Sequence, residues 1–295
     1  MKALQKKAIS AAAVALLTGL TSVAAFAEEA AAPEVSPVTA NVTVVNNYVY
    51  RGLTQSNFKP AVQGGFDYAH ESGLYIGNWN SSISWIGDGY SGTIPTVSAP
   101  VEMDFYAGFK KELIAEGFAS DVGVLQYYYP TTGLPGMALP KTVTGSTFAI
   151  GRQATGVNPS TTEAYVAQNF TAGPVTGFAK VSYALTNLFG IYNSKGAFYP
   201  DLTANYDTGF YGVTVNAHVG YQSVPNSYTL GGKTVSFSYT DWKLGLTKDF
   251  GGGVSGALAY VGTTAATVGG SYVYGTPQLK NQGATQYLVS LTKAF

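Results

Sequence analysis

The chain has 295 residues with 16 Lys and Arg against 16 Asp and Glu, no cysteine, 11% charged residues and 14% aromatic ones, including 22 Tyr. So low a charge content, where about 25% is usual, does not suit a soluble surface, and no basic excess exists to hold nucleic acid. The lack of cysteine excludes disulfides, a thiol nucleophile and any Cys-based metal centre.

Residues 1–27 read as a secretory signal. Lys2, Lys6 and Lys7 form a positive start, residues 8–25 an apolar stretch, and Ala25-Phe26-Ala27 a small-x-small cleavage site before Glu28. An uncleaved anchor is the alternative. Cleavage removes three lysines and no acidic residue, so the mature chain is slightly acidic. Residues 28–40, rich in Ala and Pro, read as a flexible leader to a barrel domain at 41–295. No later run of about 20 apolar residues occurs, so no spanning helix is expected. A lipid-compatible composition without such a helix leaves a closed β-barrel, because backbone groups in hydrocarbon must all be paired.

From residue 41 onwards, alternating segments are separated by Gly, Asn, Pro and Ser clusters, the pattern of short antiparallel strands, and no helix is expected. Twelve strands are predicted, at 41–52, 60–70, 74–85, 100–111, 118–129, 161–170, 175–186, 198–207, 210–222, 237–250, 254–264 and 284–295. In the first, Val42, Val44, Tyr48 and Tyr50 share a face. In the second, Val62, Phe66 and Tyr68 oppose Gln63 and Asp67. Tyr75, Trp79, Ile83 and Trp85 share a face of the third. Val101, Met103, Phe105 and Phe109 alternate in the fourth with Glu102, Asp104, Tyr106 and Lys110. The fifth has no assignable parity. In the ninth, Tyr211, Val213, Val215, Ala217, Val219 and Tyr221 oppose Thr214, Asn216, His218 and Gln222.

The connections alternate between short turns near 72, 115, 172, 208 and 252 and longer loops near 56, 92, 145, 192, 230 and 274. That order, an even strand count and both ends on one side are the pattern of an all-β, up-and-down antiparallel transmembrane barrel. In it the last strand must pair with the first to remove the sheet edges. The final strand carries an apolar row of Tyr287, Val289, Leu291 and Phe295, interrupted by Lys293. A terminal Phe on an alternating strand resembles the terminal signal of bacterial outer-membrane barrels, read by their assembly machinery.

Several motifs also resemble one family. They are Asn47-Tyr48-Val49-Tyr50-Arg51-Gly52-Leu53-Thr54-Gln55-Ser56, Pro60 to Tyr68, Glu102-Met103-Asp104, Asp121-Val122-Gly123-Val124, Ala217-His218-Val219-Gly220-Tyr221 and Tyr239-Thr240-Asp241-Trp242-Lys243-Leu244-Gly245. Together they resemble the TorF family of outer-membrane porins over essentially the whole mature chain. The resemblance implies an outer-membrane barrel more firmly than it implies any solute.

If the apolar faces meet lipid, then Arg51, Asp67, Glu102, Asp104, Lys110, Glu163, Lys180, His218, Asp241 and Lys243 line the lumen, since Lys or Arg on the lipid face costs about 2–4 kcal/mol at mid-bilayer. Such side chains set ion preference, or else pair with one another, as Asp241 and Lys243 invite. Arg51, expected at the rim of the first strand, either binds an anionic solute through its fork of donors or braces the first loop. Tyr48, Tyr50, Tyr75, Trp79, Trp85, Tyr211 and Tyr221 read as interfacial girdles or packing. A barrel hydrolase needs a His-centred constellation, and only His70 and His218 exist, without a nucleophile motif or metal-ligand spacing. A third option is a structural or adhesive barrel, plugged by the long loop 130–160. The expected function is a porin for passive diffusion of small hydrophilic solutes, in contact with outer-membrane lipid. No catalysis and no cofactor are expected; a homo-oligomer is compatible with this reading.

Overall fold

The structure, a computed structural model, describes residues 36–89, 96–134, 158–230, 233–268, 270–276 and 278–295. The expected signal 1–27, most of the leader and most of loop 130–160 lie outside the described residues. Twelve antiparallel strands close into a barrel, each paired with its neighbours in sequence. They are β1 (Val38–Val45), β2 (Ala61–Ala69), β3 (Leu74–Ser82), β4 (Val101–Ala115), β5 (Phe118–Tyr128), β6 (Thr161–Ala172), β7 (Val175–Ala184), β8 (Phe198–Asp207), β9 (Val213–Gln222), β10 (Tyr239–Gly251), β11 (Val254–Thr263) and β12 (Gln286–Ala294). Closure runs through β1 and β12, from Asn41 opposite Ala294 to Val45 opposite Ser290. The count, order and closing pair agree with the sequence reading.

The boundaries differ where side chains intervene. β1 begins three residues before the expected 41 and stops at Val45 rather than 52. Asn46 ends it, because its Nδ2 donates to the Tyr287 carbonyl (3.0 Å) and its Oδ1 accepts from the Val289 amide (2.8 Å). β9 starts at Val213 and not 210. Tyr211 and Gly212 sit at positive φ, and the Val213 amide returns to the Phe210 carbonyl at 3.0 Å. A helix was not expected after residue 41, yet Trp85–Gly89 forms one turn. The amides of Ser84 and Trp85 both donate to the Gln55 carbonyl (3.0 and 3.1 Å), which hangs that turn on the first loop.

The barrel is inverted relative to a soluble protein. Val44, Val62, Phe66, Ile76, Leu244 and Leu291 are exposed on its outer wall, whereas Thr43, Gln63, Asp67, Glu102, Asn216 and Asp241 are buried within. Polar groups drawn from water must find partners, so the interior chemistry is dense. Tyrosines lie flat over glycines of the adjacent strand. A Cβ on Gly220, for example, would fall 2.8 Å from Tyr199 Cε2. At the short-turn end the interior carries polar side chains such as Thr214, Asn216 and Thr247 beside the buried rings of Tyr75 and Phe178. At the loop end, Leu53, Trp85, Ile86, Leu188, Ile191 and Phe237 belong to one buried apolar cluster, with edge-on ring contacts such as Trp85–Tyr129 at 5.6 Å.

Of the seven aromatic residues expected in girdles or in packing, five therefore belong to packing. Tyr48, Tyr75, Trp79 and Trp85 are buried inside, and Tyr50 reaches Tyr127 across the interior, while Tyr211 and Tyr221 are exposed. The apolar face of β3 points inward because a filled loop end needs bulk there; alternation alone does not tell an aromatic row facing lipid from one facing a packed lumen.

Candidate functional site in the barrel lumen

The first loop, 46–60, enters the barrel instead of standing above it. Val49–Tyr50 pairs with Leu53–Thr54, and Arg51-Gly52 forms the two-residue tip. Both tip residues have positive φ, 45° and 74°, the geometry that twists a tight hairpin correctly. Gly52 is required twice over. Its φ favours glycine, and a Cβ there would lie 2.7 Å from Asp241 Cβ on the far wall.

Arg51 is the centre of the arrangement. Its Nη1 and Nη2 donate to Glu163 Oε1 (3.0 Å) and Oε2 (2.7 Å), and Nη1 also donates to Gln222 Oε1 at 2.6 Å. The guanidinium lies 4.2 Å above the centroid of the Tyr199 ring. The Arg51 carbonyl accepts from Tyr239 Oη at 2.9 Å. The side chains of the pair are 4% and 2% exposed, so this is a bidentate ion pair out of water. Around it, Tyr48 Oη donates to Glu102 (2.7 Å), Tyr50 meets Tyr127, and Asn47 donates to Gln286. One hairpin thus ties β4, β5, β6, β9, β10 and β12 together across the lumen.

Lower in the barrel the acidic groups are held by hydroxyls. Tyr106 donates to Asp67 at 2.5 Å, Tyr75 to Asp121 at 2.7 Å, and Tyr199 to Asp241 at 2.9 Å. His218 stands between two carboxylates, with Nδ1 3.0 Å from Asp201 Oδ1 and Nε2 2.9 Å from Asp241 Oδ2. Two carboxylates facing the two ring nitrogens are both satisfied when the ring carries both protons. On the loops, Asp88 accepts from Asn57 (2.8 Å) and Lys59 (3.0 Å). Partial burial works against its charge, but these donors and Ser84 hold its carboxyl below the usual range.

Of the ten residues expected in the lumen, the structure brings together Arg51 with Glu163, and His218 with Asp241. Asp67 and Glu102 take tyrosine partners, and Asp104 is buried with one oxygen unpartnered among the described residues. Lys110 donates to Asn169 at 3.3 Å, and Lys180 lies over the rings of Tyr165 and Phe178. Lys243 sits opposite His218 in the β9–β10 register. The expected Asp241–Lys243 pairing is not formed; His218 and Tyr199 take Asp241 instead. Arg51 is not at the rim, because β1 stops at Val45 and the chain turns inward. Asp121, Asp201, Gln222 and the interior tyrosines were missed as site residues. Asp121 had a signal, since it precedes the alternating Val122 and Val124. Asp201 and the tyrosines had none beyond lying on strands. No group of three or more His, Asp or Glu among the described residues is placed to hold a metal ion.

A family model described as a bacterial protein of unknown function, Gcw_chp, matches residues 27–295. The chain belongs to that family. No protein of curated function matches it. Among solved structures, a KdgM porin in complex with disordered oligogalacturonate shares 5% identity, with 88% of this chain and 98% of that one covered at a TM-score of 0.47. A NanC porin shares 9% identity over 88% and 98% of the two chains, at 0.49. The Pseudomonas putida toluene transporter TodX shares 8% identity over 89% of each, at 0.45. Likeness at this level carries no argument about solute or mechanism.

Proposed function

We propose that this Gcw_chp barrel is an outer-membrane channel of the porin class, passing small hydrophilic solutes by diffusion, with the first-loop hairpin setting its constriction. The observation that carries the reading is the inversion of the barrel, with an apolar outer wall around a charged, hydrogen-bonded interior. An apolar wall of that kind calls for lipid, and only a closed barrel spans lipid with strands. Its strands of 8 to 15 residues bracket the roughly 9–11 that a tilted membrane strand needs. The signal reading of residues 1–27 and the resemblance to TorF porins point the same way, with termini and short turns on the periplasmic side. No catalysis is assigned. Both ring nitrogens of His218 are engaged by carboxylates, and His70 bonds Ser72 in a turn.

A second reading, a permanently closed structural barrel, is favoured by the apolar cluster at the loop end. Among the described residues, Tyr48 and Leu53 of the first loop join Trp85, Ile86, Leu188, Ile191 and Phe237 there, while most of the loop expected to plug the barrel, 130–160, lies outside the described residues. Reconstitution in a planar bilayer separates the two. The channel reading expects discrete conductance steps; a folded barrel that is silent at every voltage supports the closed barrel.

The terminal strand is expected to guide assembly. Phe295 is exposed, its amide donates to the Ala40 carbonyl at 2.9 Å, and the Lys293 amine reaches the Gly252 carbonyl at the barrel end, where it can meet water. Deleting Phe295 should reduce the membrane-assembled fraction more than Lys293→Ala does, measured by heat-modifiable migration of isolated outer membranes. Equal assembly of the two variants would remove that role from Phe295.

A further inference from the structure

We propose that the lumen presents a cationic surface to solute and takes small anions, carboxylates or phosphates, at Lys180 and Lys243 with Lys110 above the approach from the short-turn end. The proposal rests on the channel reading and names its solute class. Acidic and basic side chains are both plentiful inside the barrel, yet they are not equally available. Asp67, Glu102, Asp104, Asp121, Glu163 and Asp241 are all at most 4% exposed. Apart from Asp104, each of these carboxylates already accepts from a tyrosine, Arg51 or His218.

The strand lysines are in the opposite condition. Lys110, Lys180 and Lys243 are half-buried rather than buried, and none has a carboxylate within ion-pair distance among the described residues. Lys110 donates only to the neutral Asn169 amide oxygen, at 3.3 Å. Lys180 has ring faces beneath it, 5.9 Å to Tyr165 and 5.6 Å to Phe178, and its three donors find no acceptor among the described residues. Holding the carboxylates behind tyrosine hydroxyls, Arg51 and His218 while the lysines stay half-buried and without an ion-pair partner leaves the lysines as the charged groups most accessible to a solute, although acidic side chains outnumber basic ones inside.

Register gathers two of these amines. Lys180 stands opposite Asp201, and Lys243 opposite His218, so they flank the Asp201–His218–Asp241 group on four adjacent strands. With the imidazole ring doubly protonated, three cations face two carboxylates there, and the carboxylate oxygens are turned toward His218. Facing these strands across the barrel are β1 to β4, where the carboxylates of Asp67 and Glu102 are held by tyrosine hydroxyls and Asp104 is buried, while the neighbouring β11 and β12 carry uncharged Ala259 and Ser290. An anion seated against the lysines gains charge-assisted hydrogen bonds in surroundings that screen less than water.

Reversal potentials in a KCl gradient across a planar bilayer test the proposal. The expected result is chloride preference in the wild type, lost in the Lys180→Gln/Lys243→Gln double variant and kept in Lys180→Arg/Lys243→Arg. Millimolar inorganic phosphate should reduce the chloride current of the wild type and not of the double Gln variant. Cation preference in the wild type, or unchanged preference in the double Gln variant, would overturn the anion site while leaving the channel intact. Silence in both the wild type and Arg51→Ala would instead overturn the channel. Calorimetric titration of the detergent-solubilised barrel with phosphate then decides the site by itself: saturable binding lost in the double Gln variant supports it, and absence of binding overturns it.

Discussion

Arg51→Ala is expected to cost about 3–5 kcal/mol of barrel stability, the range for removing one partner of a buried ion pair, and to enlarge the conductance steps. The loss follows from what is left behind. Glu163 would keep a carboxylate that is 2% exposed, with only Tyr127 nearby at 3.4 Å. Gln222 would lose its 2.6 Å donor, and the Tyr199 ring its cation. The hairpin would retain the buried side chains of Tyr48 and Leu53 but not the bond that pins its tip to the far wall. Replacing both partners, Arg51→Met with Glu163→Met, should recover most of the stability, because no unpaired charge remains. Urea unfolding in lipid vesicles measures the first effect and single-channel recording the second. A loss below about 1 kcal/mol, the value of an exposed pair, would show that the pair does not hold the hairpin.

His218→Ala should be comparably costly, again about 3–5 kcal/mol, because it strands two carboxylates that share one ring. Asp201 and Asp241 lie 3.0 and 2.9 Å from its nitrogens, with side chains only 10% and 2% exposed. Their remaining donors are hydroxyls, Thr203 at 3.1 Å and Tyr199 at 2.9 Å. Adding Asp201→Asn and Asp241→Asn to His218→Ala should restore part of the loss, since the amides carry no charge to bury. Thermal unfolding followed by circular dichroism reads both variants. If the triple variant is no more stable than His218→Ala, the cost lies in packing and not in charge.

Much of the architecture was legible because a membrane barrel repeats one rule along every strand. Val62, Phe66 and Tyr68 against Gln63 and Asp67 gave the faces of β2, and the same alternation placed Thr214, Asn216 and His218 inside β9. The alternation could not say which wall an aromatic row meets. Tyr75, Trp79 and Ile83 alternate as faultlessly as Leu74 and Ile76 do, yet they face the lumen. Nor does a period-two pattern reveal where a strand gives way to a loop that turns inward, so Tyr48 and Tyr50 continued the parity of Val44 on paper while Asn46 broke it in the fold.

The candidate site divides the same way. Strand parity was enough to send Glu163, Lys180, His218 and Lys243 to the interior, because charges on a lipid face are too costly to keep. Their partners follow from register and from closure. Arg51 and Glu163 are separated by 112 positions in the chain and meet only because the hairpin crosses the barrel.

By itself, then, the sequence determined the strand count, the alternation of turns and loops and the interior placement of most lumen charges, Asp121 and Asp201 excepted, since all of these are local consequences of strand geometry and desolvation cost. Only the tertiary structure decided that Arg51-Gly52 crosses the lumen, that tyrosine hydroxyls and His218 hold the acidic groups, and that the strand lysines are left half-buried without a carboxylate partner among the described residues. Those outcomes depend on which side chains curvature and register bring within about 3 Å of one another, the reach of a hydrogen bond, and no local pattern encodes that distance.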